Sequence, residues 1–199
     1  MKVAITGTIG SGKSTVLKML ADEGYPCLSA DAINKELLED VVIQDKIVSL
    51  LELPCFSKEN IRDVIFKDKE KKCLLESFLH PLILNEIQNC NEYKEGIQFV
   101  EVPLLFESGW DTYFDYTVCV YVDDDVAKER LVKFRNMNLD DVNQRIASQM
   151  PTQEKLNRCD FSINNNDSAF ILKELVNKLL ILKSQRFSFS CVGICDAIL

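Results

Sequence analysis

Residues Gly7-Thr8-Ile9-Gly10-Ser11-Gly12-Lys13-Ser14 spell G-x-x-x-x-G-K-[ST] without a mismatch, directly after the apolar run over residues 2–6. Such a motif dictates its own surroundings. Its glycines let the backbone curl until successive N–H groups face one anion, and the cradle needs a strand entering it and a helix leaving it. Residues 2–6 supply the strand, and a helical pattern from Lys13 to Asp22, stopped at Gly24, supplies the helix. A glycine turn that only joined strand to helix would have no use for Lys and Ser after its last glycine. The natural guest is a nucleoside triphosphate, with Lys13 reaching the outer phosphates as a point charge and the Ser14 hydroxyl completing a Mg²⁺ shell.

Strand and helix signals alternate along the rest of the chain, which predicts an α/β fold of three layers around a parallel sheet. Five strands are expected, over residues 2–6, 26–29, 97–102, 116–122 and 161–163. Residues 31–93 carry helical periodicity, broken near Leu53-Pro54 and restarted by Pro81, a residue suited to a helix's first turn. This stretch reads as a helical insertion over the phosphate cradle. Residues 125–158 form a second helical excursion, rich in Lys and Arg, and residues 184–199 form a tail without a clear pattern. With 199 residues and 47% hydrophobic content, the chain is expected to build one core and one domain.

Charge and cysteine usage narrow the setting. A net charge of −8 argues against a nucleic-acid surface, which needs a basic stripe to neutralise phosphates. No window approaches the ~18 apolar residues of a membrane span, and no secretory leader precedes the cradle. The eight cysteines lack a C-x-x-C pair and have a single histidine for company, so reduced core thiols in a cytoplasmic protein are expected. Cys191 and Cys195 could share a helix face, but two thiols do not make a metal site. A monomer or small homo-oligomer is the expected assembly.

Ligands of open α/β sheets bind beyond the carboxyl ends of the strands, and the second predicted strand runs straight into Asp31. A carboxylate there could take the proton of an attacking hydroxyl and aim it at the γ-phosphate. Asp31 could equally be the N-cap of a helix over residues 32–38. The two roles are compatible.

Taken together, the run from Ile5 to Leu38, Leu79-His80-Pro81, Val102-Pro103-Leu104-Leu105-Phe106-Glu107-Ser108-Gly109, and the spaced Arg130, Arg145, Gln149, Asp160 and Asn165 resemble dephospho-CoA kinase, a P-loop kinase family. The resemblance covers roughly residues 1–170. It implies ATP and Mg²⁺ as cofactors, dephospho-CoA as acceptor, and transfer of the γ-phosphate to the ribose 3′-hydroxyl in the last step of coenzyme A synthesis. It also implies a P-loop NTPase-type fold with an acceptor-binding helical insertion and a helical lid. By the same resemblance Asp31 is the base; Gly10, Ser11, Gly12, Lys13, Ser14 and Thr15 form the ATP loop; and Arg130 neutralises charge on the transferring phosphoryl group. Arg145 and Asn165 fall near the ATP phosphates and the adenine. Lys35, His80, Leu104 and Glu107 fall on the acceptor side, where His80 could instead cap a helix and the leucines could simply pack.

Three positions depart from the family pattern. Lys35 and Lys58 stand where arginines are usual, which keeps the charge and loses the bidentate fork that fits phosphate. Phe134 stands at the lid's second arginine, with Arg135 one residue late. A one-residue shift turns a helical side chain by about 100°, so Arg135 substitutes only if the helix has already ended. The rival readings are a P-loop kinase of another small hydroxyl or nucleoside monophosphate, and an adenine-nucleotide switch ATPase. Guanine-nucleotide switching is disfavoured, because Asn34-Lys35 is followed by Glu36-Leu37 and not by the x-Asp that reads guanine.

Overall fold

The computed structural model describes residues 1–166 together with Asn177, Lys178 and Ile181. Five strands, β1 (Lys2–Thr6), β2 (Cys27–Ser29), β3 (Gln98–Glu101), β4 (Tyr116–Tyr121) and β5 (Phe161–Asn164), form one sheet in the order β2-β3-β1-β4-β5. The β1/β3, β1/β4 and β4/β5 pairings are parallel, with Lys2 opposite Gln98 and Thr6 opposite Cys119. Every residue of β1 is buried, as a central strand covered on both faces requires. Because β3 and β4 lie on either side of β1, the strand order reverses beside it. The loop at its carboxyl end therefore opens at a topological switch point.

Helix α1 (Lys13–Asp22) buries Val16 and Leu20, one turn apart, against Val3, Ile5, Phe99, Val118 and Val120. It ends as the sequence predicts: Gly24 follows the C-cap at φ 84, and its N–H donates to the Ala21 carbonyl. Four helices then follow in the first insertion: α2 (Ala30–Leu37), α3 (Val41–Leu51), α4 (Lys58–Lys67) and α5 (Lys69–Asn89). Three more, α6 (Asp124–Arg135), α7 (Leu139–Ala147) and α8 (Thr152–Arg158), make up the chain connection from β4 to β5. The chain divides into two compact units, residues 1–27 with those from 93 onward, and Leu28–Glu92.

Within the second unit, α5 packs against α2, α3 and α4 and buries Leu75, Leu79, Ile83 and Ile87 at four-residue spacing. That seam overrides the expected restart at Pro81, since α5 runs through the proline without a break. Proline in a helix interior costs about 3 kcal/mol, and an unbroken apolar face on both sides of it outweighs that penalty. His80 accordingly lies inside α5 and not at a helix start. The break near Leu53-Pro54 does appear, because α3 stops at Leu51 with Glu52 in the left-handed region at φ 57.

The capping expectation for Asp31 is also corrected. Ser29, extended at φ −128, is the N-cap of α2, and its hydroxyl accepts the Ala32 N–H at 3.5 Å. Both residue types cap well, and the first to leave the strand takes the position. None of the six cysteines among the described residues forms a disulfide, and only Cys119 is fully buried, while Cys55 and Cys73 are exposed. Core thiols are thus the exception. Cys191, Cys195 and the 184–199 tail lie outside the described residues. Among those described, no helix is long and apolar enough to cross a membrane.

Candidate active site

The loop leaving β1 is shaped by its glycines. Gly7 (φ 147) and Gly12 (φ 91) occupy backbone conformations that side chains rarely adopt, and a Cβ would strike the Val120 carbonyl at the first and the Asn165 amide at the second. Helix α1 opens without a side-chain cap and without an acid in its first turn, although α2 and α4 through α8 each carry one. Its first N–H groups and positive dipole end are therefore left for an anion. The Ser11 hydroxyl is buried without a hydrogen-bond partner among the described residues, which fits a cradle built around an absent acceptor. The Lys13 ammonium, itself buried, folds back to donate to the Gly7 and Thr8 carbonyls at 2.9 Å each.

Ser14 donates its hydroxyl to Glu101 Oε1 at 3.0 Å. Glu101 closes β3 and is buried. A hydroxyl and a carboxylate presented side by side at a phosphate loop form an oxygen donor set that suits Mg²⁺.

Two elements far along the chain converge on this loop. Arg130 of α6 donates to the Asn165 carbonyl at 3.0 Å, and the Asn165 side chain donates to the Ser11 carbonyl at 2.9 Å. Ile9 donates its backbone N–H to Gln149 Oε1 at 2.8 Å, and the next residue, Met150, donates its own to Glu107 Oε1 at 3.0 Å. Glu107 is further held by the Lys155 ammonium at 2.8 Å, which also donates to the Pro103 carbonyl at 3.1 Å. Burial works against the charge on Glu107, but the Lys155 hydrogen bond and the N–H groups of Met150 and of Glu107 itself outweigh it and hold the carboxyl below its usual range. Its partners make it a clasp between the Pro103–Glu107 stretch and α8.

The remaining predicted residues are distributed as follows. Leu105 is buried, as packing alone would have it, whereas Leu104 is partly exposed. Arg145 lies on an exposed face of α7, and its guanidinium makes no hydrogen bond or ion pair among the described residues. In the second unit, Asp31 and Lys35 lie one turn apart on α2, both exposed, and His80 is half-buried on α5, which packs against α2. Burial pushes the His80 imidazole below the ordinary histidine range, and Glu76 one turn earlier pulls the other way. Lys58 opens α4.

The sequence profile of the dephospho-CoA kinase family matches residues 1–170. The chain belongs to the dephospho-CoA kinase family. A protein named dephospho-CoA kinase from Rickettsia typhi is 30% identical over 183 residues, spanning 90% of this chain and 96% of that one. The crystal structure of TT1252 from Thermus thermophilus superposes with a TM-score of 0.80 at 28% identity, covering 91% of this chain and 96% of the other. Dephospho-CoA kinase from Campylobacter jejuni superposes with a TM-score of 0.62 at 30% identity, covering 93% and 98%. Membership makes this chain a kinase, a transferase with a P-loop nucleotide-binding fold.

Phe134 is 74% exposed, and α6 continues through Arg135, so the side chains of residues 134 and 135 leave the helix about 100° apart. Sequence reasoning missed Glu101, although the signal was present: an apolar strand beside the phosphate loop that ends in an acid is the pattern of a magnesium-site carboxylate in P-loop proteins. It also missed Lys155. A lysine in a charged helical stretch carries no mark of burial, and only the fold seals this one in completely.

Proposed function

We propose that this chain transfers the γ-phosphoryl group of ATP to the 3′-hydroxyl of dephospho-CoA. The observation that carries the reading is the built phosphate loop, uncapped at α1 and joined by Arg130 and Asn165, in a chain matched by the family over residues 1–170. In this reading the backbone of Gly10 to Thr15 wraps the ATP phosphates. Lys13 leaves the Gly7 and Thr8 carbonyls to contact the outer two. Ser14 and Glu101 offer oxygens to a Mg²⁺ ion, which when bound supplies charge neutralisation on the phosphates.

The unit Leu28–Glu92 holds the acceptor, with Asp31, Lys35 and His80 on two helices that pack together. Asp31 accepts the proton of the ribose hydroxyl as the new P–O bond forms and the bond to the β-phosphate oxygen breaks, releasing ADP. Arg130 neutralises the equatorial oxygens in transit. Transfer is in line, and catalysis consists of positioning and charge stabilisation. Residues 125–158 act as a lid that excludes water, the competing acceptor. Lys35 and Lys58 recognise acceptor phosphate as point charges.

A coupled ADP-release assay over dephospho-CoA, adenosine and AMP tests this, with phosphorus NMR of the product. Dephospho-CoA is expected to be consumed with a new 3′-monoester, and the smaller acceptors to be poor, because they lack the arm whose binding energy holds the hydroxyl in line. Equal turnover of AMP would assign the chain to another acceptor, and ADP release indifferent to any acceptor would mark a switch ATPase.

A further inference from the structure

The hydrogen bond from the Ile9 N–H to Gln149 Oε1, 2.8 Å long and spanning 140 residues of sequence, has no role in the chemistry above. Ile9 lies in the first half of the phosphate loop. That half is braced from two sides. On the inner side the Lys13 ammonium donates to the Gly7 and Thr8 carbonyls, and the Ser11 N–H donates to the Thr8 carbonyl at 3.3 Å. On the other side is Gln149, in the turn between α7 and α8.

The turn itself is firmly seated. Gln149 donates its N–H to the Ile146 carbonyl at 3.2 Å, and Met150 donates to Glu107. Glu107 is gripped by Lys155, whose side chain is fully buried, and Lys155 shares the Pro103 carbonyl with the Thr6 hydroxyl, which donates to it at 3.2 Å. Thr6 immediately precedes the loop. The acceptor oxygen of Gln149 is thus fixed to the same body of structure that launches the loop.

The two braces differ in what a nucleotide does to them. An ammonium has three donors, and contact with two phosphates draws Lys13 away from carbonyls it now occupies. The inner brace then weakens just when the loop must keep its shape. The outer brace competes for none of those donors. We propose that Gln149 is a positioning residue of the phosphate-transfer site, its amide oxygen holding the Ile9 N–H so that the loop stays open while Lys13 turns to the nucleotide. The proposal rests on the reading that the loop binds ATP.

Two variants separate the acceptor from the bulk of the side chain. Gln149→Met keeps length and removes the oxygen, and Gln149→Glu keeps an oxygen but adds charge near the phosphates. Amide exchange at Ile9 is read by NMR in nucleotide-free protein, and ATP affinity is read by titration without any phosphoryl acceptor. In the Met variant the Ile9 amide is expected to exchange at least about tenfold faster and the ATP Kd to rise about five- to tenfold, the scale of one lost hydrogen bond, with Tm nearly unchanged. The Glu variant should keep Ile9 protected, bind ATP weakly at low salt, and approach the wild type measured at the same ~0.5 M salt, where charge is screened and the hydrogen bond is not.

Wild-type Ile9 exchange and ATP affinity in the Met variant would overturn the role of Gln149. So would equal weakening in both variants at every salt concentration with a matching fall in Tm, which marks a merely structural side chain. Failure of the underlying reading looks different, because wild-type protein would then show no ATP affinity before any variant is made.

Discussion

At the scale of single residues, hydrogen-bond partners set Glu107 apart from Asp31. Glu107, which the sequence places among acceptor contacts, is held by Lys155 and the Met150 N–H. Asp31 is exposed, and Ser29 relieves it of the capping duty that competed with catalysis. If Asp31 is the base, as proposed, its replacement by Asn would remove that base without removing a cap. The kcat of Asp31→Asn is expected to fall by ~10²–10⁴ under saturating ATP and dephospho-CoA, the usual worth of a positioned general base. Tm and ATP affinity should hardly move. Part of the loss would reflect orientation of the hydroxyl, since proton transfer is late in a loose phosphoryl transition state. A variant within about threefold of wild type would move the search for the base to another residue.

At the scale of elements, α5 shows how packing and local propensity divide control. Pro81 has no N–H to give the Ser77 carbonyl one turn earlier, yet Leu75, Leu79, Ile83 and Ile87 form one buried face across it. Changing Pro81 to Ala restores that donor and lifts the ring clash, while releasing more chain entropy in the unfolded state, worth up to about 1 kcal/mol in the opposite sense. The balance predicts a gain of about 1–2 kcal/mol in urea denaturation at constant m-value. A loss of stability would mean that the helix has adapted to the proline. Helix α6 carries a different lesson. Its continuation through Arg135 gives residues 134 and 135 different directions in space, with Phe134 exposed.

At the scale of the whole molecule, folding and pH are linked through His80, the one histidine of the chain. Burial lowers its pKa in the folded state, so the unfolded chain binds the proton more readily. By linkage, its contribution to stability is present above the unfolded value of ~6.5 and is lost as pH falls below it. The lowered Glu107 acts at lower pH, its contribution being lost only as pH drops through the carboxylate range. Stability measured by denaturant midpoint between pH ~7 and ~5 should fall in the wild type, and the slope should flatten in His80→Gln. An unchanged slope would remove His80 from the account. What the sequence by itself determined is local: the glycine loop, the strand before it, the extent of α1 and the five strand positions all follow from residues that are neighbours in the chain, where period and backbone freedom act directly. The resemblance also singled out Arg130 and Asn165, of which Asn165 donates to the Ser11 carbonyl of the loop and Arg130 donates to Asn165. The burial of Lys155, the pairing of Ser14 with Glu101, the brace from Gln149 to Ile9 and the passage of α5 through Pro81 were decided only by tertiary structure. Each depends on desolvation or on a hydrogen-bond partner that the fold brings from 48 to 140 residues away, or on an apolar seam whose value exists only once other helices cover it.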